Sequence, residues 1–206
     1  MHRTEKRTLT RARLIEAALN VFAFEGYEHA TVDDIARAAG LSKGAFYFNF
    51  TTKEEILLEL LRMWSDERAA LLRTAYDAAE APAERLPAML AALLSYGGGT
   101  NWPPLVLEFW SQGIRAGEVH RRLKRAYSDL KRLLASAVAD VLGDDAALAG
   151  EAARAILAMH DGAVTEIALG RAGAAGIPSA TLAAAVVGAL GERSASAAER
   201  FQAAAG

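Results

Sequence analysis

The chain has 206 residues, 52% of them hydrophobic, with 17 glycines, 5 prolines and no cysteine. Such a composition supports a sizeable core in one domain or two small ones; it excludes wholesale disorder, a disulfide framework and a thiolate metal site. The formal net charge of −2 is unevenly spread: residues 1–53 hold eight Lys or Arg against six Asp or Glu, so the acidic surplus lies in the remainder.

Met1 to Thr10 is polar and basic, without the apolar centre of a signal peptide. Uninterrupted apolar runs such as Leu182 to Val187 are too short to span a bilayer, so a cytoplasmic protein with no membrane partner is expected. Arg3, Lys6, Arg7, Arg11 and Arg13 stand against Glu5 alone at the start of the chain. They read as an electrostatic footprint for phosphates or as a solvated, frayed terminus, and the two are compatible. A first helix is expected from about Thr8 or Thr10 to Glu25, with Leu14, Ile15, Ala18, Leu19 and Phe22 as its apolar stripe. Gly26 stops it.

The next stretch, Thr31 to Lys53, carries the most information. Thr31 is a good N-cap, and Asp34 three residues on completes a capping-box pattern. Ile35, Ala36 and Ala39 recur at helical spacing, and Gly40 supplies the left-handed backbone of a tight helix–helix turn. Ser42 caps a second short helix carrying Lys43, Ala45, Phe46, Tyr47 and Asn49. Phe46 is expected in the core. Thr52 with Glu55 forms a second capping box, opening a long helix at Lys53. The pattern is a helix-turn-helix.

Thr31, Ile35, Ala36, Ala39-Gly40-Leu41-Ser42, Gly44, Tyr47, Phe50 and Lys53-Glu54 resemble the TetR-type bacterial transcriptional repressors. Ile15, Ala17-Ala18, Leu19, Phe22, Gly26 and Tyr27 extend the likeness upstream. The resemblance implies that the second short helix enters the major groove of double-stranded DNA. It implies a DNA-binding set of Thr31, Arg37, Ser42, Lys43, Gly44, Ala45, Tyr47, Phe48, Asn49 and Lys53. Lys43 is the best base reader, since lysine can donate to guanine O6 and N7; Tyr47, Lys53 and Thr31 are expected on phosphates. The chain departs from the family at Ala45 (usually Thr), Phe48 (usually Tyr) and Asn49 (usually His). The first two lose a hydroxyl, so Ala45 or Phe48 could instead touch a thymine methyl.

From Lys53 a long helix is expected to about Glu80, with Leu57, Leu60, Leu61, Trp64, Leu71 and Leu72 as its apolar band. Pro82 breaks the chain, and the next helix, with Pro87 in its first turns, reaches about Tyr96. Gly97 to Asn101 reads as a loop; Pro103 to Arg115 is an aromatic-rich helix opened by proline. Glu118 to Leu142 follows, with a basic outer face at Arg121, Arg122, Lys124, Arg125, Lys131 and Arg132. That face is a second nucleic-acid surface or, as such runs more often are, a solvated face with internal ion pairs. Asp144-Asp145 caps a helix from Ala146 to about Leu169, and a last helix spans about Ala180 to Ala204.

Trp64, Tyr96, Trp102, Phe109, Trp110, Tyr127, Met159 and His160 exceed what a Leu/Ala core needs. They are the candidate lining of a small-molecule effector pocket, although each taken singly could be packing. The family pairs its last two helices with their mates in a homodimer. Here that implies an interface of Ile156, Val164 and Ile167 on one helix and Val186, Val187 and Leu190 on the other; the alternative is that these faces belong to the monomer core.

The expected fold is all-α, about nine helices, with a helix-turn-helix domain at residues 1–53 and an effector-binding and dimerisation domain at 54–206. No enzyme motif, cofactor fingerprint or metal-ligand spacing is found: His2, His29, His120 and His160 show no i,i+4 pairing. The expectation is a homodimeric repressor on a palindromic operator, released by an effector that the sequence does not name. A helical ligand-binding or enzymatic bundle that merely retains a helix-turn-helix is the alternative. An activator would share the same DNA chemistry.

Overall fold

A computed structural model of the chain describes residues 3–95, 101–115, 117–142, 146–170 and, beyond these, Val186 and Gly188. The described residues form eight α-helices: α1 (Arg3–Glu25), α2 (Val32–Ala38), α3 (Lys43–Asn49), α4 (Lys53–Ala78), α5 (Pro82–Ser95), α6 (Trp102–Gly113), α7 (Glu118–Leu142) and α8 (Ala146–Ala168). The all-α expectation holds. Val186 and Gly188 are also helical, but the rest of the expected ninth helix lies outside the described residues, as do Tyr96 to Thr100 and Asp144-Asp145.

α1 starts earlier than expected. Lys6 and Arg7 are good helix formers, Glu5 suits the positive end of the dipole, and Thr10 Oγ1 donates back to Lys6 O at 2.8 Å. Gly26 ends it as expected, with φ at +79°. α5 begins at Pro82, where a proline costs no hydrogen bond, so Pro82 opens the helix rather than breaking it. Pro87 lies inside and removes the donor that Ala83 O would have received. α6 carries Pro103 and Pro104 in its first turn, and the Asn101 amide donates to Asn20 Oδ1 on α1 at 2.6 Å.

The helices fall into two compact units. The first comprises Met1–Ser65 and Gly98–Arg125, the second Asp66–Gly97 and Ala126–Gly206. Neither coincides with a division at residue 53, because α6 and the start of α7 belong with the helix-turn-helix. Core side chains of the first unit include Leu14, Phe22, Ile35, Phe46, Phe50, Ile56, Leu57, Leu60, Trp64 and Phe109, all fully or almost fully buried. Each contributes about 1.5–3 kcal/mol of hydrophobic stabilisation. The second unit has its own core, with Leu72 from α4, Leu86, Met89 and Leu90 from α5, Leu130, Leu134 and Val138 from α7, and Ala153, Ile156 and Leu157 from α8.

Candidate DNA-binding site

The site is built by local hydrogen bonds that the sequence specifies. Thr31 Oγ1 accepts from Asp34 N (3.2 Å) while Asp34 Oδ2 accepts from Thr31 N (3.0 Å), a complete capping box. Gly40 takes φ +63° and turns the chain, with Gly40 N donating to Arg37 O and Leu41 N to Ala36 O. Ser42 Oγ accepts from Ala45 N at 3.1 Å and starts α3. Beyond α3, Thr52 Oγ1 accepts from Glu55 N (3.1 Å), and the Glu55 carboxylate returns to Thr51 N (2.6 Å), one residue before the expected position.

Two arginines of α1 hold the other ends of these helices. Arg13 Nη2 donates to Ala39 O at the end of α2 (2.7 Å), and Arg11 Nη1 donates to Asn49 O at the end of α3 (3.0 Å). Arg11 also lies over the Phe50 ring at 4.0 Å. A cation at a helix C-terminus satisfies an orphan carbonyl and opposes the negative end of the dipole. In this structure, therefore, Arg11 and Arg13 are braces of the motif rather than part of a loose phosphate-seeking arm. Their partners lie 38 and 26 residues away, and only the general need of helix ends for donors hinted at them.

The candidate DNA-binding residues separate into three groups. Arg37, Ser42, Lys43, Gly44, Tyr47 and Phe48 are exposed on the outer side of α2 and α3, Thr31 is exposed at its cap, and Ala45 is half-buried. Arg37 pairs with Asp34 at 2.7 Å, and Lys43 Nζ with Asp33 Oδ2 at 2.8 Å; that bond holds the Lys43 pKa above its ordinary value. Asn49 is only 8% exposed, its amide donating to Ala45 O within α3 at 2.8 Å. Packing has drawn it inward, away from the face that a duplex would meet.

Lys53 is held by the chain itself. Its ammonium donates to Tyr27 O (2.8 Å), Ala30 O (3.0 Å) and Glu28 O (3.2 Å) and sits 4.5 Å from the Tyr27 ring centroid. An ammonium has three donors, and all three serve the α1–α2 connection; Lys53 is a clamp in this structure, not a free phosphate grip. Burial, with help from Glu54 and Glu28, pushes the Tyr27 pKa up to about 12. Glu28 in turn accepts from Gln112 Nε2 (3.0 Å) and pairs with Arg115, which together hold its carboxyl below the usual range.

The candidate effector residues divide between the two units. Trp64 and Phe109 are buried in the first, ring centroids 5.9 Å apart, with Trp102 and Trp110 half-buried there. Tyr127, Met159 and His160 belong to the second, and Tyr96 lies outside the described residues. Tyr127 donates to Asp161 Oδ1 at 2.9 Å. His160 and Arg68 are each 3% exposed, and two guanidinium nitrogens face the two ring nitrogens at 3.1 and 3.2 Å. Arg68 was not singled out from the sequence, where an arginine in a long helix reads as surface.

Among the candidate interface residues, Ile156 is already buried in the core of the second unit, and Val186 packs against that core half-buried. Val164 and Ile167 are half-buried on α8; Val187 and Leu190 lie outside the described residues. On α7, Arg121 and Arg122 both pair with Glu118, and Arg132 with Asp129, which matches the solvated-face reading. No described helix is long and apolar enough to cross a membrane.

Capped helices around a glycine turn, with an exposed second helix, on an all-helical chain, define a helix-turn-helix DNA-binding protein. Residues 14–60 match the model of the TetR family of bacterial regulatory proteins, and residues 82–192 match the C-terminal domain of BetI-type transcriptional repressors. The chain belongs to the TetR family, with a BetI-type C-terminal domain, and so to a family of transcriptional regulators rather than enzymes. It is 34% identical over 159 residues to the transcriptional regulator BetI of Agrobacterium fabrum, covering 72% of this chain and 73% of that one. It is 40% identical over 82 residues to the transcriptional repressor KstR2 of Mycobacterium tuberculosis, a match spanning 40% of this chain and only 41% of that repressor. A solved transcriptional regulator from Pseudomonas aeruginosa PAO1 shares the fold, with a TM-score of 0.75 and 24% identity over 98% of this chain and 96% of that one.

Proposed function

We propose that the protein is a homodimeric transcriptional repressor that binds a palindromic operator through α3 of each protomer and releases it when a small molecule binds beyond residue 53. The observation that carries this reading is the outer face of α3. Lys43, Gly44, Tyr47 and Phe48 are exposed together, on a helix fixed at both ends by Ser42 and Arg11. One such helix reads only a few base pairs, so useful specificity needs two half-sites and a two-fold protein. A cytoplasmic location follows from a DNA partner.

Val164 and Ile167 on α8 are the best-supported dimer-face residues, with Val187 and Leu190 proposed beside them. For the effector, the second unit sets a few polar groups, Tyr127, Asp161, His160 and Arg68, into an otherwise apolar interior, the mixture that ligand sites use. α4 is one continuous helix from the helix-turn-helix into the second unit, so a ligand-induced tilt there would move α3. Linkage sets the scale: an effector that lowers DNA affinity a hundredfold binds the DNA complex a hundredfold more weakly, about 2.7 kcal/mol of coupling. The test is Ile167→Glu, studied by sedimentation and by operator retention at physiological salt. Dissociation to monomers and loss of palindrome binding should occur together. A monomeric variant holding the full palindrome with native affinity contradicts the proposal.

A further inference from the structure

Among the described residues, the outermost point of α3 is apolar and aromatic. At about 100° per residue, the buried Phe46 and Asn49 and the cap Phe50 define the inward side of the helix. Gly44 and Phe48, four residues apart, then fall on the opposite side as one crest, with Lys43 and Tyr47 on the flank. Phe48 is 64% exposed. Gly44 is not demanded by the chain's own packing, since a Cβ there would meet only Ser42 Oγ at 3.7 Å. A bare crest one turn before an exposed ring lets a second surface approach α3 closely at Gly44 and meet Phe48 first.

The ring is also held. The Arg7 guanidinium carbon lies 5.6 Å from its centroid, a cation–π contact from α1 to the end of α3. Phenylalanine has no donor or acceptor, so it cannot read the polar edges of guanine, adenine or cytosine. The one apolar group on the floor of the major groove is the thymine 5-methyl. Lys43, by contrast, is on the flank and tied to Asp33.

We propose that Phe48 is a specificity-determining residue that reads a thymine through its 5-methyl group, with Arg7 holding the ring and neutralising a neighbouring phosphate. The proposal rests on the reading that α3 enters the major groove. It shifts the principal base reader from Lys43, on the flank, to Phe48, on the crest.

The test uses the full chain and duplexes that it selects from a pool with a randomised core of about 30 base pairs, long enough for two half-sites one or two helical turns apart. Each thymine of a selected duplex is replaced singly by deoxyuridine, which removes only the methyl. One thymine per half-site should cost the wild type about three- to fivefold in affinity, the worth of one buried methyl. The same replacement should cost Phe48→Ala nothing. Arg7→Gln should lower the slope of log affinity against log salt by about 0.9 and shrink the deoxyuridine penalty. The urea midpoint of Phe48→Ala should fall only slightly, through loss of one exposed cation–π contact, and its sedimentation should match the wild type. Selected duplexes with no thymine whose deoxyuridine penalty vanishes in Phe48→Ala overturn the proposal, as does dissociation of the assembly by Phe48→Ala, which would make the ring a protein–protein contact. If no duplex is enriched at all, the DNA-reading role of α3 fails first. If duplexes are enriched and Phe48→Ala binds them with unchanged penalties, only the Phe48 assignment fails.

Discussion

Replacing Lys53 by methionine separates stability from DNA contact. Methionine keeps most of the aliphatic stem, so packing changes little. What is lost is two charge-assisted bonds to the part-buried carbonyls of Tyr27 and Ala30, a weaker one to the exposed Glu28 carbonyl, and the contact with the Tyr27 ring. The two part-buried carbonyls account for about 1 kcal/mol each, and the ring contact adds about 0.5–1 kcal/mol. Against this, a cation at the first position of α4 opposes the helix dipole by about 0.3–1 kcal/mol, which methionine recovers. The net destabilisation is about 2 kcal/mol, or about 4–8 °C in Tm for a chain of this length. Urea unfolding followed by tryptophan fluorescence reads it directly. Operator affinity should fall with the loss of order in the α1–α2 connection, but the slope of log affinity against log salt should stay the same. A native urea midpoint with a slope flattened by about 0.9 would refute the clamp and restore a phosphate contact.

Asp33→Asn should release Lys43 and remove a carboxylate from the DNA face; the affinity for random duplex should rise several-fold at low salt, and the gain should vanish at high salt. An unchanged affinity at low salt would show that the pair is irrelevant to DNA. His160 supplies a pH signature. Burial foremost, and the charge of Arg68, hold its pKa below the ordinary 6.5, with Asp161 working the other way. Below about pH 6.5 the unfolded chain takes up a proton there that the folded chain does not, so stability present above that pH is lost as the pH falls. The urea midpoint should therefore drop further between about pH 7.5 and 5.5 in the wild type than in His160→Gln. Parallel declines would show that His160 does not titrate against the fold.

What was legible in the sequence is what depends on near neighbours along the chain. The Thr31–Asp34 box, the turn at Gly40 and the cap at Ser42 involve partners within five residues, and they stand as read. Phe46 is expected in the core, and it is fully buried. What was not legible is the partner that a polar side chain finds. Lys53 reads as a free cation at a helix start until the carbonyls of the α1–α2 connection, 23 to 26 residues earlier, come within reach. Asn49 is included among the DNA contacts only because the family resemblance implies it, and the packing of α3 turns it inward. Arg68 reads as solvent-facing because nothing local announces His160, 92 residues on. Periodicity says which face of a helix is buried; it does not say which polar residue goes in with it.

The grouping of α6 with the helix-turn-helix bears on how such regulators can be recombined. A hybrid joined at residue 53 would carry α1 to α3 without Asn101, Gln112 and Arg115, which bond Asn20 and Glu28. The reading head is a discontinuous module, assembled from two separate stretches of chain. Grafting a foreign sensory region onto it requires that residues 98–125 travel with residues 1–65. A graft that keeps residues 1–65 but omits 98–125 takes Phe109 away from Trp64, opens that side of α4 to water and invites aggregation before any operator is met.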